Sequence, residues 1–126
     1  MNLKFRQLPG RYAVCRLPPE APLPELGSTS VFTSITRTED ELSIACPVEQ
    51  APGDAKCEAP WVAFKLEGPF PFALTGILAS FIDPLAAAGV PIFAVATFDT
   101  DYVLVKEEHA VSTLTALRDA GHELIS

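Results

Sequence analysis

The succession of hydrophobic periods in residues 61–125 constrains the fold more than any single residue does. Trp61-Val62-Ala63-Phe64-Lys65-Leu66 is a short apolar run of strand length. After the loop Gly68-Pro69-Phe70-Pro71, the residues Leu74, Ile77, Leu78, Phe81, Ile82 and Leu85 recur at steps of three and four, which puts them on one face of a helix. Pro84 is expected to bend or tighten that helix, and Gly89 to cap its end. Residues 90–96 are almost continuously apolar, the pattern of a central strand buried on both faces. Thr97-Phe98-Asp99-Thr100 turns the chain into a further strand, Tyr102-Val103-Leu104-Val105-Lys106. A second helix then presents Ala110, Val111, Leu114 and Leu117 inward and ends at Gly121, before a last strand, His122-Glu123-Leu124-Ile125. The order β-α-β-β-α-β predicts an α+β unit, an antiparallel sheet with two helices on one face.

The first half reads differently. Residues 3–8 and 12–17 alternate on either side of Pro9-Gly10, and 30–36 and 42–46 flank the polar turn Thr38-Glu39-Asp40-Glu41. The stretch between the two strand pairs is too rich in proline for a long helix, leaving at most one turn at Glu25-Leu26-Gly27. The Pro/Gly/charge-rich residues 48–56 read as a loop dividing the halves. The first half thus looks like a degenerate, mostly β copy of the second, with Ile35-Thr36-Arg37-Thr38 matching Ala96-Thr97-Phe98-Asp99.

Charge excludes some functions. Nine Lys and Arg against sixteen Asp and Glu give a net charge of −7, which argues against nucleic acid and against anionic membranes. The longest apolar stretch, residues 70–82, is too short and too interrupted to span a bilayer. The N-terminus has no apolar signal core, so a cytoplasmic location is expected. The cysteines Cys15, Cys46 and Cys57 are widely spaced and match no metal-ligand pattern with His109 or His122. They read as ordinary thiols in a reducing compartment. Neither a metal nor a cofactor is implied. Glu39-Asp40-Glu41 reads as a solvated turn rather than a cation site.

No nucleophile–base–orienter set, phosphate-cradling glycine loop or zinc-protease motif occurs. Both histidines read as solvent-facing or capping residues, so no enzyme is expected. Two segments remain as places where chemistry could be, and the β-α-β-β-α-β order could bring them together. One is the loop into the first helix, residues 68–77. A helix start leaves N–H groups free for a carboxylate, and Gly76 would admit a ligand close to the backbone. Equally, Pro71 starts the helix and Gly76 relieves packing. The other is Thr97-Phe98-Asp99-Thr100-Asp101, where Asp101 enters a strand that disfavours aspartate. It is either the partner of a ligand ammonium group or, with Asp99, a cap on its own turn.

At these residues, together with Pro84-Leu85-Ala86-Ala87-Ala88-Gly89-Val90 and Tyr102-Val103-Leu104-Val105, the chain resembles the small bacterial tandem ACT-domain proteins. These are similar to the ACT pairs of cytosolic arginine sensors and, more distantly, of aspartokinases. The resemblance covers most of residues 61–125 and, more weakly, 32–46. It implies a degenerate ACT-like half over residues 1–59, a ferredoxin-like ACT domain over 60–126, and one side-by-side sheet. It further implies an amino acid or related metabolite bound between ACT units, and a homodimer. Leu74, Thr75, Gly76 and Ile77 would bind the ligand carboxylate, and Asp101 its amino group. Thr97, Phe98 and Asp99 would line the pocket, with Ser34, Ile35 and Thr36 of the first half closing it. Ala96 departs from the serine of many relatives. The alternative to a ligand-sensing regulatory protein is a structural or protein-interaction module without a small ligand.

Overall fold

Three strands aim alternate side chains at the same two helices. They are Val62, Phe64 and Leu66 of β5 (Lys56–Leu66), Phe5 of β1 (Lys4–Gln7) with Leu3 before it, and Val103 and Val105 of β7 (Asp101–Lys106). From the other side come Ile77, Phe81 and Leu85 of α1 (Ile77–Ala87) and Leu117 of α2 (Ala110–Asp119). Each such side chain taken out of water stabilises the fold by about 1.5–3 kcal/mol, so this one core enforces both periods. Phe5 sits at its centre, edge-on to Phe64 and Phe81 at 5.8 and 5.3 Å. The structure, a computed structural model, describes residues 1–26 and 30–125.

Two compact units are present: residues 1–8 with 62–125, and Pro9–Trp61. In the first, the strand order is β6-β7-β5-β1-β8, with β6 being Phe93–Ala96 and β8 Glu123–Leu124. The α+β, ferredoxin-like order expected from residue 61 onward is present, with β1 inserted between its first and last strands. β1 runs antiparallel to β5, Phe5 lying opposite Leu66. It runs parallel to β8, Phe5 lying opposite Leu124, so the sheet is mixed rather than antiparallel. The division expected at residue 59 falls inside β5. That strand begins at Lys56, where exposed side chains leave no burial pattern to read.

Other details also depart from expectation. The first helix begins at Ile77, because Gly76 holds φ +80°, a left-handed conformation no helix interior adopts. Leu74 is therefore in a turn, its N–H donating to Pro71 O at 3.0 Å. Residues 90–96 do not form a central strand. Pro91 cannot donate to a ladder, and only Phe93–Ala96 pairs, at the sheet's outer edge with alternate side chains exposed. Val111 is 79% exposed, since the inward row of α2 runs through Ala110, Thr113, Leu114 and Leu117.

His122 is buried rather than solvent-facing. Its Nδ1 accepts from the Leu3 N–H at 3.0 Å, so the ring proton sits on Nε2, which donates to Ser80 O at 2.8 Å. Ser80 O is the carbonyl four residues before Pro84, which has no N–H to give it. The imidazole thus replaces the hydrogen bond that a proline inside α1 deletes, and ties α1 to the residue before β1.

In the unit Pro9–Trp61 the strand order is β3-β4-β2-β5, with β2 Tyr12–Leu17, β3 Ser34–Arg37 and β4 Leu42–Pro47. Ala13, Cys15 and Leu17 pack with Leu42, Ile44 and Cys46. Cys15 lies directly opposite Cys57 and the two form a disulfide, contrary to the expected three thiols; Cys46 is free and buried. Neighbouring antiparallel strands bring facing residues close enough for such a bond, which sequence spacing does not reveal. Glu25 and Leu26 form no helical turn, and Gly27 lies outside the described residues. Thr38 organises the acidic turn: its N–H donates to Glu41 O, and its Oγ1 accepts from the N–H groups of Asp40 and Glu41.

Candidate functional site

A threonine also organises the hairpin between β6 and β7. The Thr97 N–H and Oγ1 both donate to Thr100 O, at 2.9 and 2.8 Å. Thr100 is buried and its Oγ1 donates to Leu66 O on β5 at 2.7 Å, anchoring the tip to the central strand. Neither aspartate is needed to cap the turn, so the capping role open to Asp99 and Asp101 is filled by Thr97. In the hairpin β3–β4 the equivalent of Thr97 is Thr38, two residues along from the match expected. The equivalent of Asp101 is Leu42, fully buried. The aspartate is therefore peculiar to the second hairpin.

The loop before α1 is fastened to this tip. The Phe70 N–H donates to Asp99 O at 3.0 Å, and a Cβ at Gly68 would lie 3.0 Å from the same oxygen, a contact that would push loop and hairpin apart by a few tenths of an ångström. Between loop and hairpin lies an open cavity of about 200 Å3. Six of the expected residues line it: Leu74, Ile77, Thr97, Phe98, Asp99 and Asp101. Thr75 and Gly76 do not; Gly76 is instead the left-handed residue preceding the helix. Ser34, Ile35 and Thr36 lie on β3 in the other unit, the first half-buried and the others exposed. Phe70, Pro71, Phe72 and Thr100, which belong to the two candidate segments, and Ala96 also line the cavity, though none was assigned a ligand contact. The signal was available for Phe72, an aromatic next to a proline that fits no helical row.

Asp101 opens β7 opposite Ala96. Partial burial pushes its carboxyl above the usual carboxylate range, and among the described residues no cation or hydrogen-bond donor meets it. Ile77, the first helical residue of α1, places that helix start beside the cavity, and the first intrahelical bond runs from the Ser80 N–H to Gly76 O. The N–H groups of residues 77–79 are thus without helical partners. The cavity thus has the start of α1, through Ile77, at one side and the Asp101 carboxylate at the other. Among the described residues, its ionisable lining groups are Asp99 and Asp101. No group of three metal-ligating side chains occurs among the described residues.

Residues 56–119, half of the chain, match the family model described as ACT domain, and residues 10–54 match one described as an N-terminal domain. The structure is similar to the crystal structure of a protein from Agrobacterium tumefaciens at 41% identity and a TM-score of 0.91, over 99% of this chain and 93% of that one. A protein of unknown function from Vibrio cholerae, described as a possible transport protein, shares 20% identity with a TM-score of 0.71, over 95% and 91% of the two chains. The ligand-free regulatory subunit of aspartate kinase from Thermus thermophilus shares the fold at 12% identity, with a TM-score of 0.59 over 88% and 93%. With the model covering half its length and a β-α-β-β-α-β unit over the same residues, this chain belongs to the ACT-domain family.

Proposed function

We propose that this protein is a non-enzymatic regulator that binds an amino acid in the cavity between the start of α1 and the β6–β7 hairpin. The observation that carries the reading is Asp101, an unpaired carboxylate at the head of a strand, partly buried, with its charge uncompensated by the fold. A ligand ammonium group would compensate it, and the start of α1, with Ile77 in the lining, would receive the ligand carboxylate. Thr97 and Thr100 hold the hairpin, and Leu74 and Ile77 give the site an apolar side. The resemblance to an aspartate kinase regulatory subunit supports a regulatory role.

The protein is further proposed to act in the cytoplasm as a homodimer, β6 and β8 being the outer strands of their sheet and thus suited to pairing. No nucleic acid or membrane partner is proposed. The net charge of −7 opposes both, and no helix among the described residues is long and apolar enough to cross a membrane.

The test is thermal unfolding with each of the twenty amino acids at millimolar concentration. A ligand at about 100 times its dissociation constant stabilises by about 2.7 kcal/mol, a midpoint shift of several degrees in a chain this size. A shift with one amino acid, lost in Asp101→Asn, is the expected result. Unchanged midpoints throughout would move the protein to the interaction-module reading, which the exposed apolar residues beside the cavity would then serve.

A further inference from the structure

The last strand of the sheet leaves a gap beside α2. Leu124 of β8 lies opposite Phe5 of β1, so both side chains stand on the face that carries the helices. Phe5 is 1% exposed and Leu124 44%, so the helices close over the inner strand and not over the outer one. A cavity of about 380 Å3 opens there, lined by Phe5, Leu114, Arg118, His122, Glu123 and Leu124. It shares no lining residue with the cavity at the β6–β7 hairpin. Its size falls in the range of small-molecule sites, about 300–1,000 Å3.

The walls are apolar, and their polar groups reduce to one that is free. Both ring nitrogens of His122 are already bonded, to the Leu3 N–H and to Ser80 O. Glu123 lies opposite Lys4, and strand alternation turns both side chains to the face away from Phe5. Arg118 follows Leu114 by four residues, on the same side of α2. Its guanidinium meets no acceptor among the described residues. A cation in the last turn suits the helix dipole, which accounts for its charge but not for the apolar walls beside it. We propose that this cavity is a second binding site, which takes an amphipathic monocarboxylate. The hydrocarbon part is seated among Phe5, Leu114 and Leu124, and the carboxylate is held by the Arg118 guanidinium, whose planar fork matches two carboxylate oxygens.

The test is a titration of the isotope-labelled full chain with butanoate, hexanoate and octanoate at millimolar concentration, followed by its amide resonances. Those of Leu114, Arg118 and Leu124 are expected to shift, and those of residues 97–101 to stay. Affinity should rise about three- to four-fold for each methylene that still finds apolar wall. Octanol, of equal length and without charge, should bind about five-fold more weakly than octanoate or worse. Arg118→Gln should bring acid and alcohol close together, and because the side chain is exposed the variant should fold as the parent does. Equal binding of acid and alcohol by the parent, or an unchanged ratio in Arg118→Gln, overturns the role of the guanidinium. Shifts confined to residues 97–101 place the acid in the other cavity and overturn the second site. So does the absence of any shift with all three acids. Shifts at Leu124 on dilution alone, with no response to octanoate, give the cavity to a second copy of the chain and likewise overturn the proposal.

Discussion

At Asp101 burial and charge oppose each other, and the sign of the effect can be worked out. Burial raises the folded-state pKa above the unfolded value, so the ionised form is favoured in the unfolded chain. The stability this group allows is fully present when it is protonated in both states. It is lost as pH rises from the ordinary aspartate range, near ~3.9, through the raised folded value. Asp101→Asn removes that loss, so the ligand-free variant is expected to melt at or slightly above the parent at pH 7, with a flatter profile between pH 4 and 7. The effect is modest because the group is only partly buried and solvent screens it. A variant that melts clearly lower at pH 7 would mean the carboxylate makes a stabilising bond, and the site assignment would lose its main support. Thr100 makes the contrasting case, a polar group that the fold satisfies. Thr100→Val keeps the shape and deletes the 2.7 Å bond to Leu66 O. It should cost about 1 kcal/mol in urea unfolding, and a neutral result would show that the hairpin tip is held by packing alone.

Pro84 in α1 and His122 in the connection from α2 to β8 are coupled through one carbonyl. His122→Ala would leave the Leu3 N–H and Ser80 O without their partners and open space beside Phe81, at a cost of roughly 2–4 kcal/mol. Pro84→Ala restores a backbone N–H able to reach Ser80 O, so half of the histidine's work becomes redundant. In that background His122→Ala should cost about 1 kcal/mol less, measured as a double-mutant cycle in urea. Additivity within about 0.3–0.5 kcal/mol would refute the coupling. This pairing also marks the boundary of what sequence can tell. β2, β4 and β7 are legible because each is a short run of mostly apolar residues, and the site's hairpin because its polarity exceeds what a turn needs. His122 is not, since its two partners lie 119 and 42 residues away and leave no local pattern. The insertion of β1 beside β8 is hidden for the same reason. Pro91 and Gly76 shortened elements whose apolar periods continue past the true ends. Phe72 was harder to place than Phe98, because an aromatic in an apolar segment reads as core until its exposure is known.

Across the whole molecule stabilisation is unevenly supplied. Residues 1–8 and 62–125 share a core built on Phe5, Phe64, Phe81 and Leu117 and closed by two helices, whereas Pro9–Trp61 has a smaller cluster around Leu42 and Ile44. A small core gains most from a covalent staple, and Cys15–Cys57 joins residues 42 apart. The chain-entropy relation assigns closure of such a loop about 4 kcal/mol, which native strain and residual structure commonly reduce. The third cysteine does not compete. Cys46 is fully buried, and burial together with the Glu49 carboxylate pushes its thiol up, away from the reactive thiolate. Protein purified without reductant should therefore show no thiol reactive in the native state, one after unfolding and three after unfolding with reductant. Adding reductant to the native protein should lower its unfolding midpoint. Two or more thiols reacting in the native protein would rule out the bond. A midpoint unmoved by reduction would show that the register of β2 against β5, with Tyr12 opposite Trp61, holds this unit alone. That second result is the one a cytoplasmic protein needs, because glutathione and thioredoxin keep most cytoplasmic cysteine pairs reduced. Trapping the thiols by alkylation in intact cells then decides which of the two states the cell contains.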